Sequence, residues 1–380
     1  MGRLAMGMAA LAAVSSLWVG LCNGAAIYIK PDGTGDVPTI AAGLTAAGVG
    51  DTLMLASGTF TGAGNHSLAI PDKDLVIISE TGNPDDCGID CEGAAGFSSS
   101  KATAVVEGLT ITNASGYGYS MFPTGNVYNA ATIRNCVFSH SGGGVGIDLF
   151  WGDVAISNCR FISNGGGYYG GAIYIAGIYL CVTIDGCAFS YNSAGLGGAI
   201  CCSSHEAQAY IRNSVFHHNS AYQGGGILVG NMYAAITNCT FAANSAEEGS
   251  AISDGGFANV NSCIIAYNTG PGHAYYYGNW GEGTPQIFCT LLCENQGVAG
   301  AQGAPEALGY SNFCDCPGFC NYEIEPYDLH LCADSPCLPG NHPPGAATCG
   351  LIGALGQGDC GCGPSGTEPA TWGAIKAMYR

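Results

Sequence analysis

Apolar residues return to fixed places in successive stretches of this chain. Ile133, Ile156, Ile184, Ile211, Ile236 and Val260 each open a unit, and five residues later stand Phe138, Phe161, Phe189, Phe216, Phe241 and Ile265. The units begin 23, 28, 27, 25 and 24 residues apart; helical repeats would need a 3.6-residue period and a leucine-rich solenoid a Leu-dominated consensus, and neither appears. Two residues before each Phe column member come Cys136, Cys159, Cys187, Ser214, Cys239 and Cys263, so both columns share one face of a strand. The opening Ile lies three before the Cys, which breaks the alternation. The strand must bend there, at Asn135, Asn158, Asn213 and Asn238.

Three residues after the Phe comes a second Asn column: Asn164, Asn192, Asn219, Asn244 and Asn268. Asn tolerates left-handed backbone, which suits a second corner, and stacked amides can also bond along the column. A run of small residues then leads to a third inward column: Ile147, Ile173, Ile200, Ile227 and Ile252. Three short strands separated by corners, with every column in register, predict an all-β solenoid of the parallel β-helix type.

Two motifs alternate through these units, FxxN ("FISN", "FSYN", "FHHN", "FAAN") and GGAI ("GGAI" at 170 and 197, "GGGI" at 224, "GSAI" at 249). Over residues 106–295 they resemble the repeats of chlamydial polymorphic outer-membrane proteins, and more broadly a right-handed, pectin-lyase-like β-helix. Those outer-membrane proteins end in a membrane β-barrel, whereas here the stretch after residue 300 is rich in Pro and Cys. The resemblance implies a fold with a capping helix at its first end. "VPTIAAGLTAAGVG" suits one: Pro38 fits a first helical turn, Ile40, Leu44 and Ala47 share a face, and Gly48 suits the stop. The expected organisation is a signal peptide over 1–26 and a right-handed parallel β-helix over 27–300. A Cys-rich closing cap over 301–362 and a linker with a basic amphipathic tail over 363–380 complete it.

Composition sharpens this picture. The chain has 380 residues, 62 of them Gly, and only 9 Lys plus Arg against 28 Asp plus Glu, for a net charge of −19. Such acidity argues against nucleic acid and anionic membranes as partners. Arg3, the apolar run through Leu21 and the small residues "CNGAA" read as an export signal, and no later run is long enough to span a bilayer. The expectation is a secreted or cell-surface protein, monomeric, with no transmembrane segment once mature. Its terminal "TWGAIKAMYR", two-faced and basic, reads as a sorting or docking tag.

Of 21 Cys, the eight from Cys314 to Cys362 suggest a disulfide framework, with Cys337 pairing Cys349; "CGIDC" suggests a small Cys87–Cys91 loop. The Cys column inside the repeats reads instead as buried free thiols, because adjacent parallel strands present them side by side.

Candidate chemistry is sparse. No acid in the repeats stacks with a like partner, although Asp185 and Arg212 share a column one coil apart as an exposed ion pair. Aromatic and imidazole groups are better placed: Tyr191, His218 and Tyr267 recur two residues after the Phe column and face outward, and His217 and Tyr174 lie near them. Such rings can stack on sugars and hydrogen-bond hydroxyls. They predict contact with a polysaccharide or cell-surface glycan, without a metal at His217 or His218 and without a cofactor. The resemblance leaves a rival open, a polysaccharide lyase or glycoside hydrolase, for which Ca²⁺ would be the expected cofactor.

Overall fold

The computed structural model describes residues 24–358, apart from 101–102, 123–127, 150, 166, 205, 256, 279–285, 294, 296–310, 323–326 and 347. The expected export signal and the basic tail lie outside the described residues.

Among the described residues the chain winds through three parallel sheets. The first has eleven strands, from Ala26–Ile29 to Gln286–Phe288; the second has ten, from Gly58–Phe60 to Leu291–Cys293. The third has nine, from Leu68–Ile70 to Tyr275–Tyr277. Each coil visits the sheets in that order, so every strand pairs with its counterparts one coil away. The solenoid is right-handed and makes about nine turns.

The first corner has the expected cause. Asn135, Asn158, Asn213 and Asn238 hold φ near 52° (53°, 52°, 52° and 51°), and Gly186 does the same at 63°. The second corner differs in one detail. The left-handed residue is the one before the Asn, namely Ser163, Tyr191, His218, Ala243 and Tyr267, with φ between 54° and 59°. The Asn itself turns inward and is buried in every coil. Each amide nitrogen donates to Oδ1 of the Asn in the next coil, from Asn164 through Asn192, Asn219, Asn244 and Asn268 to Asn295. Because Asn carries both a donor and an acceptor, the column continues indefinitely with neither left over.

The core follows the columns. The rings of Phe138, Phe161, Phe189, Phe216 and Phe241 stack with successive centroid separations of 5.2, 4.9, 4.6 and 4.6 Å. Cys136, Cys159, Cys187, Cys239 and Cys263 are buried free thiols. Their role is more than space-filling. The Cys187 sulfur accepts from the Cys159 backbone N–H, and Ser214 Oγ accepts from the Cys187 N–H. Each thiol or hydroxyl also donates to a carbonyl two residues upstream, which is why Cys, Ser214 and Thr290 interchange here. One register differs from expectation. Val145, not Ile147, pairs with Ile173, because this coil turns through three glycines without the usual loop. Asp148 consequently pairs with Ala176, and Gly146 with Tyr174.

At the first end, a helix over Ile40–Ala46 covers the core with Ile40 and Leu44, and Ala47 just beyond it is buried too. Thr39 caps it by accepting the Ala42 N–H, so Pro38 precedes the cap rather than lying in the first turn. At the other end, Asn312 and Phe313 continue the second sheet beside Thr290–Leu292, and described residues beyond them come against the outer face of that sheet. Phe319, Leu329, Leu331, Leu338 and Ile352 pack there against Val215, Ala242, Ile264, Ala266 and Leu291.

The disulfides differ from the two expected pairs. Cys349 bonds Cys289 and Cys314 bonds Cys293, tying the segment to the last coils, whereas Cys337 is a buried free thiol. Cys320 and Cys332 are also disulfide-bonded. Cys87 and Cys91 are buried free thiols. They stand at the two ends of an extended stretch, roughly 13 Å apart at strand rise, well beyond bridging distance.

Candidate functional site

The corner column read from the sequence as outward-facing is a seam. Tyr191 stacks on His218 at 5.1 Å, and His218 lies 4.4 Å from the ring of Tyr327, which the C-terminal segment brings over it. His217 is buried beneath the same tyrosine, and burial, with His218 beside it, pushes its imidazole down to about 3. Tyr267 stacks on Tyr322 at 3.9 Å, and its hydroxyl lies 3.5 Å from the Cys316 sulfur. Three of the expected ligand residues, His217, His218 and Tyr267, are therefore engaged with the chain's own distal segment, while Tyr191 packs on the two histidines and keeps 39% of its surface exposed. Tyr174 belongs elsewhere, on the outer face of the third sheet, stacked on Tyr169 at 5.3 Å. The seam alone offers a small exposed surface. A shallow groove of about 290 Å³ nearby, lined by Gly167, Ser193, Ala194, Ser220 and Ala221, carries no charge.

The larger aromatic surface is on the first sheet, and the sequence reading missed it. Tyr128, Trp151, Tyr179, Tyr210, Tyr233 and Phe257 are all exposed, by 36–59%, one from each of six successive coils. Tyr128 pairs directly with Trp151, and the Trp151 and Tyr179 rings are 6.1 Å apart. Tyr210 and Tyr233 meet edge to face at 6.5 Å. Strand alternation explains their direction. In Trp151–Ser157 the odd positions face out while Val154 and Ile156 are buried, and the neighbouring strands repeat the pattern.

Polar groups are set among these rings. The Tyr128 hydroxyl donates to Asp153 Oδ2 at 2.5 Å and the Tyr210 hydroxyl to Gln208 Oε1 at 2.6 Å. Asp153, Cys181, Gln208 and Tyr233 form one outward column by register. The hydrogen bond to Asp153 pushes the Tyr128 phenol up to about 12, and a hydrogen bond to Glu206 raises that of Tyr179. These phenols stay neutral through the physiological range, each presenting a flat ring beside a fixed acceptor. The signal in the sequence was an aromatic residue near the start of each first-sheet strand ("YNAATIR", "WGDVAIS", "YLCVTID", "AYIR", "YAAIT").

The expected Asp185–Arg212 pair forms at 3.0 Å, with Asn213 donating to the other Asp185 oxygen. Among the described residues, no three His, Cys, Asp or Glu side chains converge as a metal site. Nor is any helix there long and apolar enough to cross a membrane.

Comparison with known proteins agrees with this architecture. The family model described as "Right handed beta helix region" matches residues 76–231 and 152–288. The crystal structure of pectate lyase Pel9A superposes with a TM-score of 0.55 at 14% identity, covering 89% of this chain and 98% of that one. The structure of alginate lyase AlyGC, of the PL6 family, matches at 14% identity with a TM-score of 0.32, covering 82% of this chain and 52% of that one. A curated relative, the metabotropic glutamate receptor-like protein R of Dictyostelium discoideum, is 31% identical over 169 residues, which are 43% of this chain. The match spans only 10% of that relative's length.

Proposed function

The chain belongs to the right-handed beta helix family, and on that premise we propose that it is an exported glycan-contact protein whose working surface is the aromatic band of the first sheet. The observation that carries this is the run of six exposed rings in six successive coils. A rigid sheet holds Tyr128, Trp151 and Tyr179 in one column, Tyr233 and Phe257 in a second two residues downstream, and Tyr210 two residues beyond that. An extended polysaccharide laid obliquely across the coils thus meets successive rings without ordering any loop. The Asp153 and Gln208 oxygens beside the rings accept hydrogen bonds from sugar hydroxyls. The disulfides of the distal segment support the exported reading, since such bonds persist in oxidising compartments. The FxxN and GGAI motifs, which resemble those of chlamydial polymorphic outer-membrane proteins, favour display at a cell surface.

The test is a panel of polysaccharides offered to the mature protein, with and without Ca²⁺, while both retention and bond cleavage are recorded. Retention without cleavage is expected. Changing Trp151→Ser together with Tyr179→Asn, which suits the left-handed backbone of that position (φ 52°), removes two stacking faces. At ~1 kcal/mol per face this weakens binding by about tenfold or more. A second reading, a polysaccharide lyase, rests on the fold shared with pectate lyase Pel9A. Appearance of new chain ends in the same panel would establish it in place of the first.

A further inference from the structure

The charges around the aromatic band say which polysaccharides it takes. Resting on the glycan-contact reading above, we propose that the band binds polysaccharides without acidic groups and disfavours polyuronates. A uronate chain needs cations, and the described cations are already engaged. Arg134 pairs Glu107 at 2.6 Å, Arg160 pairs Asp85 at 2.6 Å and Arg212 pairs Asp185 at 3.0 Å. Lys73 donates to the Ala47 carbonyl, and Lys30 lies over the ring of Tyr28, both in the first coils.

Two of these pairs are on the first sheet itself. Glu107 pairs in register with Arg134, and Asp185 with Arg212, in one outward column at the downstream ends of the strands. Among the described residues, the cations that reach the surface on this face thus carry one carboxylate each. Nearer the rings the described fixed charges are negative: Asp153 takes the Tyr128 hydroxyl and Glu206 that of Tyr179. Carboxylates and the Gln208 amide oxygen are acceptors, which a sugar hydroxyl satisfies and a uronate carboxylate cannot. The whole chain, at −19, adds long-range repulsion toward any polyanion.

The experiment compares retention of the full mature chain on an uncharged glucan or mannan and on polygalacturonate, at low and high salt. Uncharged glycan should bind at least ~10-fold more tightly at low salt, with the gap narrowing as salt screens the repulsion. A variant with Glu107→Gln and Asp185→Asn frees Arg134 and Arg212. It should raise affinity for polygalacturonate by about threefold or more while leaving uncharged glycan unaffected. Polygalacturonate bound as tightly as uncharged glycan, or alone, overturns this inference and leaves glycan contact standing. Retention of neither overturns the glycan-contact reading itself.

Discussion

The Asn219 side-chain amide donates to Oδ1 of Asn244 at 2.9 Å and to the Phe189 carbonyl at 3.0 Å. Its own oxygen accepts both the backbone and side-chain N–H groups of Asn192. One buried side chain therefore satisfies groups from the coil before its own and the coil after it. Replacing Asn219 by Leu leaves several of them unpaired, at a cost of ~3 kcal/mol or more. The urea midpoint of the variant should fall well below that of the wild type. An unchanged midpoint would mean that the ladder contributes nothing to stability.

The thiol column makes a chemical prediction. Cys187→Ser keeps an acceptor for the Cys159 N–H and a donor to the Asp185 carbonyl, as Ser214 does naturally in the next coil. Its stability should stay within ~1 kcal/mol of wild type, whereas Cys187→Val, which strands a buried N–H, should lose ~1–3 kcal/mol. Equal losses from both variants would show that shape alone matters there. The five column thiols, Cys136, Cys159, Cys187, Cys239 and Cys263, should resist alkylation in the folded protein and react after denaturation without reductant, since all are buried.

These two columns were legible in the sequence because stacking forces the same residue type at the same place in every coil. Where a coil breaks its pattern, legibility fails locally. The three glycines before Val145 shorten one turn and shift Ile147 out of its expected column. The buried state of His217 was not legible for a different reason. Its cover, Tyr327, arrives from a segment with no repeat, held by a Cys289–Cys349 bond that no spacing rule reveals. The aromatic band was written plainly, but outside the columns that define the core. Tyr128 and Trp151 occupy outward positions, where packing does not force repetition and the residue type drifts from coil to coil.

His217 gives the fold a pH dependence. Its imidazole ionises at about 3 in the folded protein, below the ordinary value of 6.5, because burial and the neighbouring His218 oppose a positive charge. Between those two values the unfolded chain holds a proton that the folded chain lacks. This contribution to stability is thus complete above pH 6.5 and declines as pH falls toward 3. The loss from this residue between pH 7 and pH 4 should be ~3 kcal/mol, at about 1.4 kcal/mol per unit. His217→Gln should flatten the profile by that amount. A variant with the same acid profile as wild type would show that His217 carries no such load.

The Cys289–Cys349 bond closes a sequence separation of 60 residues and fastens the distal segment over the histidine seam. In the chain-entropy view a loop of that size stabilises by ~4 kcal/mol. A Cys289→Ser, Cys349→Ser variant should therefore melt earlier. The more specific consequence concerns access. In the intact protein Tyr327 covers His217, so diethyl pyrocarbonate should leave that imidazole unmodified. With the bond removed, the Cys293–Cys314 bond still tethers the start of the segment, and the hydrophobic contacts of Leu329, Leu331 and Ile352 against the second sheet are left to seat the rest of it. His217 should then become reactive under conditions where circular dichroism still shows an intact solenoid, because the Phe stack and the Asn column do not involve the segment. If His217 stays protected in that variant, apolar packing and the remaining Cys293–Cys314 bond seat the segment, and the Cys289–Cys349 bond is dispensable for the seam.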